Sequence, residues 1–148
     1  MSSVIVVFAS MTGNTEEMAE AIAEGLQEAG IEPVVKNVID TNAEEITKYD
    51  GIILGSYTWG DGDLADDFLD FYDEMDVIQL DGKKAAVFGS ADSSYAEYGA
   101  AVDTLITKLK ELGAEVTLDG LKVELSPSKD DKVLCREFGK QFVQSLGA

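Results

Sequence analysis

Three hydroxyls, an amide and a glycine crowd the stretch Ser10-Met11-Thr12-Gly13-Asn14-Thr15. Placed at the start of a helix, such a set makes an anion seat: first-turn N–H groups point outward, the helix dipole favours negative charge, and the side chains add neutral donors. A plain helix start with Ser/Thr/Asn caps is the competing reading, although one such residue is enough for a cap. No lysine or arginine precedes Lys36, so an anion here is held without a basic side chain. Neither the nucleotide loop G-x-x-x-x-G-K-[ST] nor the dinucleotide pattern G-x-G-x-x-G occurs, so the expected anion is a phosphate monoester.

Two further loops carry aromatic side chains in polar company. Tyr57-Thr58-Trp59-Gly60-Asp61-Gly62-Asp63 holds the single tryptophan, and Ser90-Ala91-Asp92-Ser93-Ser94-Tyr95-Ala96-Glu97-Tyr98-Gly99 holds two tyrosines outside any apolar period. A tryptophan can be a core anchor, but it then belongs in a strand or helix stripe. In a Gly/Asp loop it is better suited to cover a flat ligand. Two aromatic loops facing one crevice make a slot for a planar ring. A phosphate seat at one end and such a slot at the other describe flavin mononucleotide, FMN.

The elements that must hold these loops are legible in the apolar pattern. Val4-Ile5-Val6-Val7 is the run of a buried parallel strand, and Met18, Ile22 and Leu26 recur along a helix over 16–29. A second strand is expected over 31–38, at an edge because of Pro33, followed by a short helical turn over 42–47. The third strand covers 51–56, and a helix over 65–75 buries Phe68, Leu69, Phe71 and Tyr72. Strand four covers 84–89. The next helix carries Val102, Leu105, Ile106, Leu109 and Leu112 and ends at Gly113. A fifth strand is expected over 115–125, then a helix over 129–146 with Val133, Leu134, Phe138, Phe142 and Leu146 inward. Alternating strands and helices imply an α/β fold: one three-layer, doubly wound domain over 1–148 with a five-stranded parallel sheet in the order 2-1-3-4-5. In that order the loops at 9–15, 57–63 and 90–99 converge at the switch point between strands one and three.

Composition removes several classes of chemistry. The 148 residues contain no histidine and one cysteine, which excludes an internal disulfide, thiolate metal clusters and His-based nucleophilic catalysis. Cys135 lies next to the last helix's apolar stripe and reads as a packing residue rather than a redox thiol. No run reaches the length of a membrane span and the first residues do not read as a leader, so a cytoplasmic location and no membrane partner are expected. With 29 acids against 11 bases and a net charge of −18, nucleic acid is an unsuitable partner. Ten carboxylates and no base lie between residues 49 and 82. They form either a solvated face or a docking surface for basic redox proteins, where opposite charge steers encounter.

At three places the chain resembles the flavodoxin family. Ser10-Met11-Thr12-Gly13-Asn14-Thr15 is similar to its phosphate loop, Leu54-Gly55-Ser56-Tyr57-Thr58-Trp59-Gly60-Asp61-Gly62 to its tryptophan loop, and Phe88-Gly89-Ser90-Ala91-Asp92-Ser93-Ser94-Tyr95 to its tyrosine loop. The motifs stand in family order, and the fifth strand lacks the insertion of about twenty residues that marks long-chain members. The resemblance is therefore to the short-chain flavodoxins, over the full length of the chain. It implies that Ser10, Thr12, Asn14 and Thr15, with the backbone amides of 11–15 (Met11 and Gly13 among them), bind the FMN phosphate. It also implies that Trp59 and Tyr95 sandwich the isoalloxazine, with Tyr95 outermost. Gly60 would offer its carbonyl to the flavin N5–H, Asp61 would lie near the pyrimidine side, and Asp92 with its neighbours Ser90 and Ala91 would meet the ring edge. Tyr98 is a further candidate for the aromatic slot. Where relatives carry a small hydroxyl residue two positions before the tryptophan, this chain has Tyr57, so Ser56, Tyr57 and Thr58 all stay open for the phosphate shell.

The expected function is that of a low-potential one-electron carrier, shuttling between semiquinone and hydroquinone and passing electrons between redox proteins as a monomer. No residue set looks built to convert an organic substrate. An FMN-dependent quinone or nitro-reductase on the same fold is the alternative. A phosphorelay receiver shares the strand order, but its acidic pair after strand one and its aspartate after strand three are replaced here by Ala9-Ser10 and Gly55-Ser56.

Overall fold

The computed structural model describes residues 3–9, 13–59, 63–91, 100–124 and 127–146. The first unit is strand β1 (Val4–Ala9), helix α1 (Asn14–Glu28) and strand β2 (Val34–Asn37), with a short helix α2 (Ala43–Ile46) leading to β3 (Gly51–Ser56). A two-residue antiparallel pair follows, β4 (Thr58–Trp59) with β5 (Asp63–Leu64), and then α3 (Asp66–Glu74), β6 (Lys84–Ala91) and α4 (Ala100–Glu111). The chain closes with β7 (Glu115–Val116), β8 (Leu121–Glu124) and α5 (Lys129–Ser145).

The main sheet is parallel in the order β2-β1-β3-β6-β7, with β8 also on β6, so among the described residues six strands occupy the five expected positions. The fifth position is filled by two short strands rather than one long one. Between the pairs Ala85↔Val116 and Phe88↔Leu121 the edge chain advances two residues more than β6; Thr117 still donates its N–H to the Ala85 carbonyl at 3.0 Å, and the chain leaves the ladder over 118–120. β2 is shorter than its apolar pattern suggests and lies at the edge, as Pro33 implies.

Strand alternation separates two cores. Val4, Val6, Phe8, Ile53, Ala86 and Phe88 face α1 and α5, while Ile5, Val7, Ile52, Leu54, Ala85 and Val87 face α2, α3 and α4. On the first side α1 and α5 cross almost backbone to backbone. A Cβ on Gly25 would stand 2.1 Å from the Arg136 carbonyl oxygen, and one on Gly139 would stand 2.5 Å from that of Ile22. Cys135 is fully buried between these helices, and burial first, then the Asp131 charge, pushes its thiol up to about 12.

Two helices show narrower apolar stripes than their sequences suggest. Phe68, Phe71 and Met75 are buried whereas Leu69 is 46% exposed; Cys135, Phe138 and Phe142 are buried whereas Val133 and Leu134 are about half exposed. The buried sets are spaced i, i+3, i+7, and a residue one step away is turned about 100° off that line.

Candidate functional site

The order of strands reverses at β1, which has β2 on one side and β3 on the other. At their carboxyl ends Ala9 is paired with Ser56, so the first loop and the β4–β5 hairpin leave the sheet from adjacent residues. β6 runs alongside, and a Cβ on Gly89 would meet the Ser56 carbonyl oxygen at 2.3 Å. Three chain segments therefore emerge side by side where a doubly wound sheet places its ligand.

α1 begins at Asn14, two residues earlier than its apolar pattern implies, because Gly13 serves as the N-cap with φ 92°. That left-handed conformation is open to glycine at no steric penalty. Gly13 brings no side chain to the cap position, and acids Glu16 and Glu17 follow in the first turn. Thr15, second in the helix, is 1% exposed, and its hydroxyl lies 2.7 Å from that of Ser90, which is itself 5% exposed. Ser90 stands in a strand and not in the loop where the sequence suggests it: β6 runs on through Ser90 and Ala91 because β8 pairs with that extension.

The three open candidates of the tryptophan loop separate. Ser56 is fully buried; its hydroxyl donates to the Tyr57 carbonyl at 2.8 Å and accepts from the Ala65 N–H at 3.3 Å. One hydroxyl thus ties together the two ends of the hairpin, where the chain leaves β3 and where it enters α3. The Tyr57 ring is partly buried against the core that carries α3 and α4. Thr58 and Trp59 form β4, opposite Leu64 and Asp63, so the loop read at 57–63 is an antiparallel ribbon over its described part. Ser10, Met11, Thr12, Gly60, Asp61, Asp92, Tyr95 and Tyr98 lie outside the described residues.

The acidic run is used in two different ways. Asp67, Asp70 and Asp73 are exposed on α3. Glu74 instead accepts the Ala43 N–H at 3.1 Å and so secures α2, and Asp76 pairs with the buried Lys108 of α4. Lys108 also lies 4.6 Å from the centre of the Tyr72 ring, and its bond to Asp76 raises its pKa. Sequence reading missed this base because it comes from another helix. Among the described residues no group of three or more His, Cys, Asp or Glu is placed to hold a metal ion, and no helix is long and apolar enough to cross a membrane.

The donor set fits a phosphate monoester rather than a polyphosphate. It consists of the start of a fifteen-residue helix, a glycine at its cap and a buried hydroxyl pair, with no basic side chain in the first turn.

The chain matches the family model described as Flavodoxin over residues 6–139. It is 44% identical over 148 residues to the probable flavodoxin 2 of Bacillus subtilis (strain 168), covering 99% of this chain and 98% of that one. It is 40% identical over 136 residues to a flavodoxin of Maridesulfovibrio salexigens, covering 90% of this chain and 93% of that protein. Among solved structures, oxidised flavodoxin 1 of Bacillus cereus aligns with a TM-score of 0.94 at 59% identity, covering 97% of this chain and 98% of that chain.

Proposed function

This chain belongs to the flavodoxin family, as one of its short-chain members, and on that footing we propose that it is a low-potential one-electron carrier that holds FMN non-covalently. It is an electron-transfer protein and not a substrate-converting enzyme: the flavin supplies the redox chemistry, and the protein binds it, orients it and sets its potential. The observation that carries the reading is the convergence at the switch point. Ala9 and Ser56 are paired at the carboxyl ends of β1 and β3, and the Thr15–Ser90 hydroxyl pair joins α1 to β6 beside them.

In this reading Ser10, Thr12, Asn14 and Thr15 hold the phosphate. Ser56 supports the hairpin from inside and leaves Tyr57 and Thr58 to complete the shell. Trp59, Tyr95 and Tyr98 enclose the ring system, with Ala91 and Asp92 at its edge. The Gly60 carbonyl would accept a hydrogen bond from the flavin N5–H. Asp61 and the acids nearby disfavour the arrival of further negative charge in a poorly solvated slot, which lowers the second potential. The couple of half-reduced and fully reduced flavin would then be the low-potential one, and the one the carrier uses.

The partners in this reading are redox proteins with basic docking surfaces, met by the monomer. The net charge of −18 and the exposed Asp67, Asp70 and Asp73 support it. Electron transfer to such a partner slows steeply with added salt, and neutralising these three aspartates together flattens that dependence with little effect on FMN affinity. A rate indifferent to ionic strength would make the acids a solvated face only.

Stepwise reduction of the purified protein with dithionite tests the carrier reading. The yellow spectrum is expected to pass through a stable blue form before bleaching. Passage straight from yellow to colourless would favour a two-electron reductase on the same fold.

A further inference from the structure

We infer that Ser90 is a positioning residue of the phosphate seat: its hydroxyl donates to Thr15 Oγ1 and thereby commits the Thr15 O–H to the anion. The inference rests on the phosphate reading above. The two oxygens are 2.7 Å apart, a full-strength O–H···O bond, and both side chains are almost wholly buried. They come from different layers, Thr15 from the first turn of α1 and Ser90 from the carboxyl end of β6.

The direction of the bond follows from counting protons. Each hydroxyl carries one proton and two acceptor lone pairs. Two paired hydroxyls hold two protons and use one between them, so the pair always has one O–H to direct elsewhere. A phosphate dianion offers only acceptors. With the dianion beyond the first turn, the favourable order is Ser90 donating to Thr15 and Thr15 donating outward. The opposite order would turn the Thr15 proton away from the negative charge. Hydrogen bonds in series polarise one another, so donation from Ser90 also makes the Thr15 O–H a stronger donor. Without Ser90 the Thr15 hydroxyl is free to rotate and to bond a backbone carbonyl, as helix threonines do.

A bond that only braced α1 against β6 would have a different signature. Its loss would loosen the site for any flavin, whereas loss of the relay is felt only by a ligand that carries the phosphate. FMN and riboflavin separate the two cases, and riboflavin binding reports at the same time that each variant is folded.

The test is a double-mutant cycle with Ser90→Ala, Thr15→Val and the double variant, titrated with FMN and with riboflavin by flavin fluorescence. Thr15→Val is expected to weaken FMN by roughly tenfold to a hundredfold and Ser90→Ala by roughly threefold to tenfold. Riboflavin affinity is expected to stay within about twofold throughout. The double variant is expected to bind FMN no more weakly than Thr15→Val alone, because Ser90 acts through Thr15. Additive losses, or equal losses for both flavins in Ser90→Ala, would overturn the inference. A weakened Thr15→Val beside an unchanged Ser90→Ala overturns it alone, while an unchanged Thr15→Val overturns the phosphate reading of Thr15 as well.

Discussion

Helices α1 and α5 pack against one another on the same face of the sheet, and both start at its carboxyl end, yet their first turns are built differently. α5 caps itself. Ser128 accepts the Asp131 N–H at 3.1 Å, and the Asp131 carboxylate accepts the Ser128 N–H at 2.9 Å, a closed capping box. α1 enters through Gly13 in a left-handed conformation, with no side-chain cap, and its Thr15 hydroxyl reaches sideways to Ser90. A helix end that only has to be stable engages its first N–H groups with its own side chains. On the proposed reading, the start of α1 leaves the Thr15 hydroxyl for an anion rather than for a cap.

What the two helices share is their crossing, and breaking that gives the largest effect. Gly25→Ala places a Cβ against the Arg136 carbonyl, where backbone on both sides has nothing flexible to yield. A destabilisation of roughly 2–3 kcal/mol is expected in urea unfolding of the flavin-free protein. A loss under about 0.5 kcal/mol would mean that the helices can part without penalty.

The second effect sharpens the contrast between the two N-termini. Ser128→Ala opens the capping box and is expected to lower stability by about 1 kcal/mol. FMN affinity, measured on the same preparation, is expected to be unchanged. Should this substitution weaken FMN as Thr15→Val does, the two helix ends would not be divided between stability and ligand.

The smallest effect concerns the dry side of α5. An unfolded Cys135 ionises near its ordinary value of 9.0, while the folded thiol holds its proton until about 12. Above pH 9 the unfolded chain therefore binds fewer protons, and stability falls as pH rises through this window; below it the group contributes no pH dependence. The loss amounts to somewhat under 1 kcal/mol by pH 9.5. Comparing chemical denaturation at pH 7.5 and pH 9.5 for wild type and Cys135→Ala isolates it. An identical pH dependence in the two proteins would mean that water reaches Cys135.

Much of the architecture was legible without coordinates because its signals are local. Val4-Ile5-Val6-Val7 is a β-branched run of the kind that fills a strand buried on both faces, and the glycines and prolines that bound the other elements act within a residue or two. The hydroxyls in 10–15 likewise pointed to an anion seat, and of these residues Thr15 stands in the first turn of α1. Half of that reading depends on distance in space, however. Ser56, Tyr57 and Thr58 are indistinguishable as donors in sequence. Ser56 is withdrawn because its O–H donates to the Tyr57 carbonyl while its oxygen accepts the Ala65 N–H, nine residues away. Leu69, Val133 and Leu134 read as core because hydrophobicity alone does not say how wide a stripe the neighbouring layer will cover.

The sequence by itself determined the strand order, the family motifs and the absence of any basic side chain ahead of Lys36, since each is a property of residue type and spacing along one segment. Tertiary structure decided which polar groups meet. Thr15 and Ser90 lie 75 positions apart and Lys108 and Asp76 lie 32 apart, and each pair is joined only because the parallel crossovers return the chain to the same place. A hydrogen bond or ion pair depends on separations of a few ångströms, and no pattern of residues along the chain specifies distances that fine.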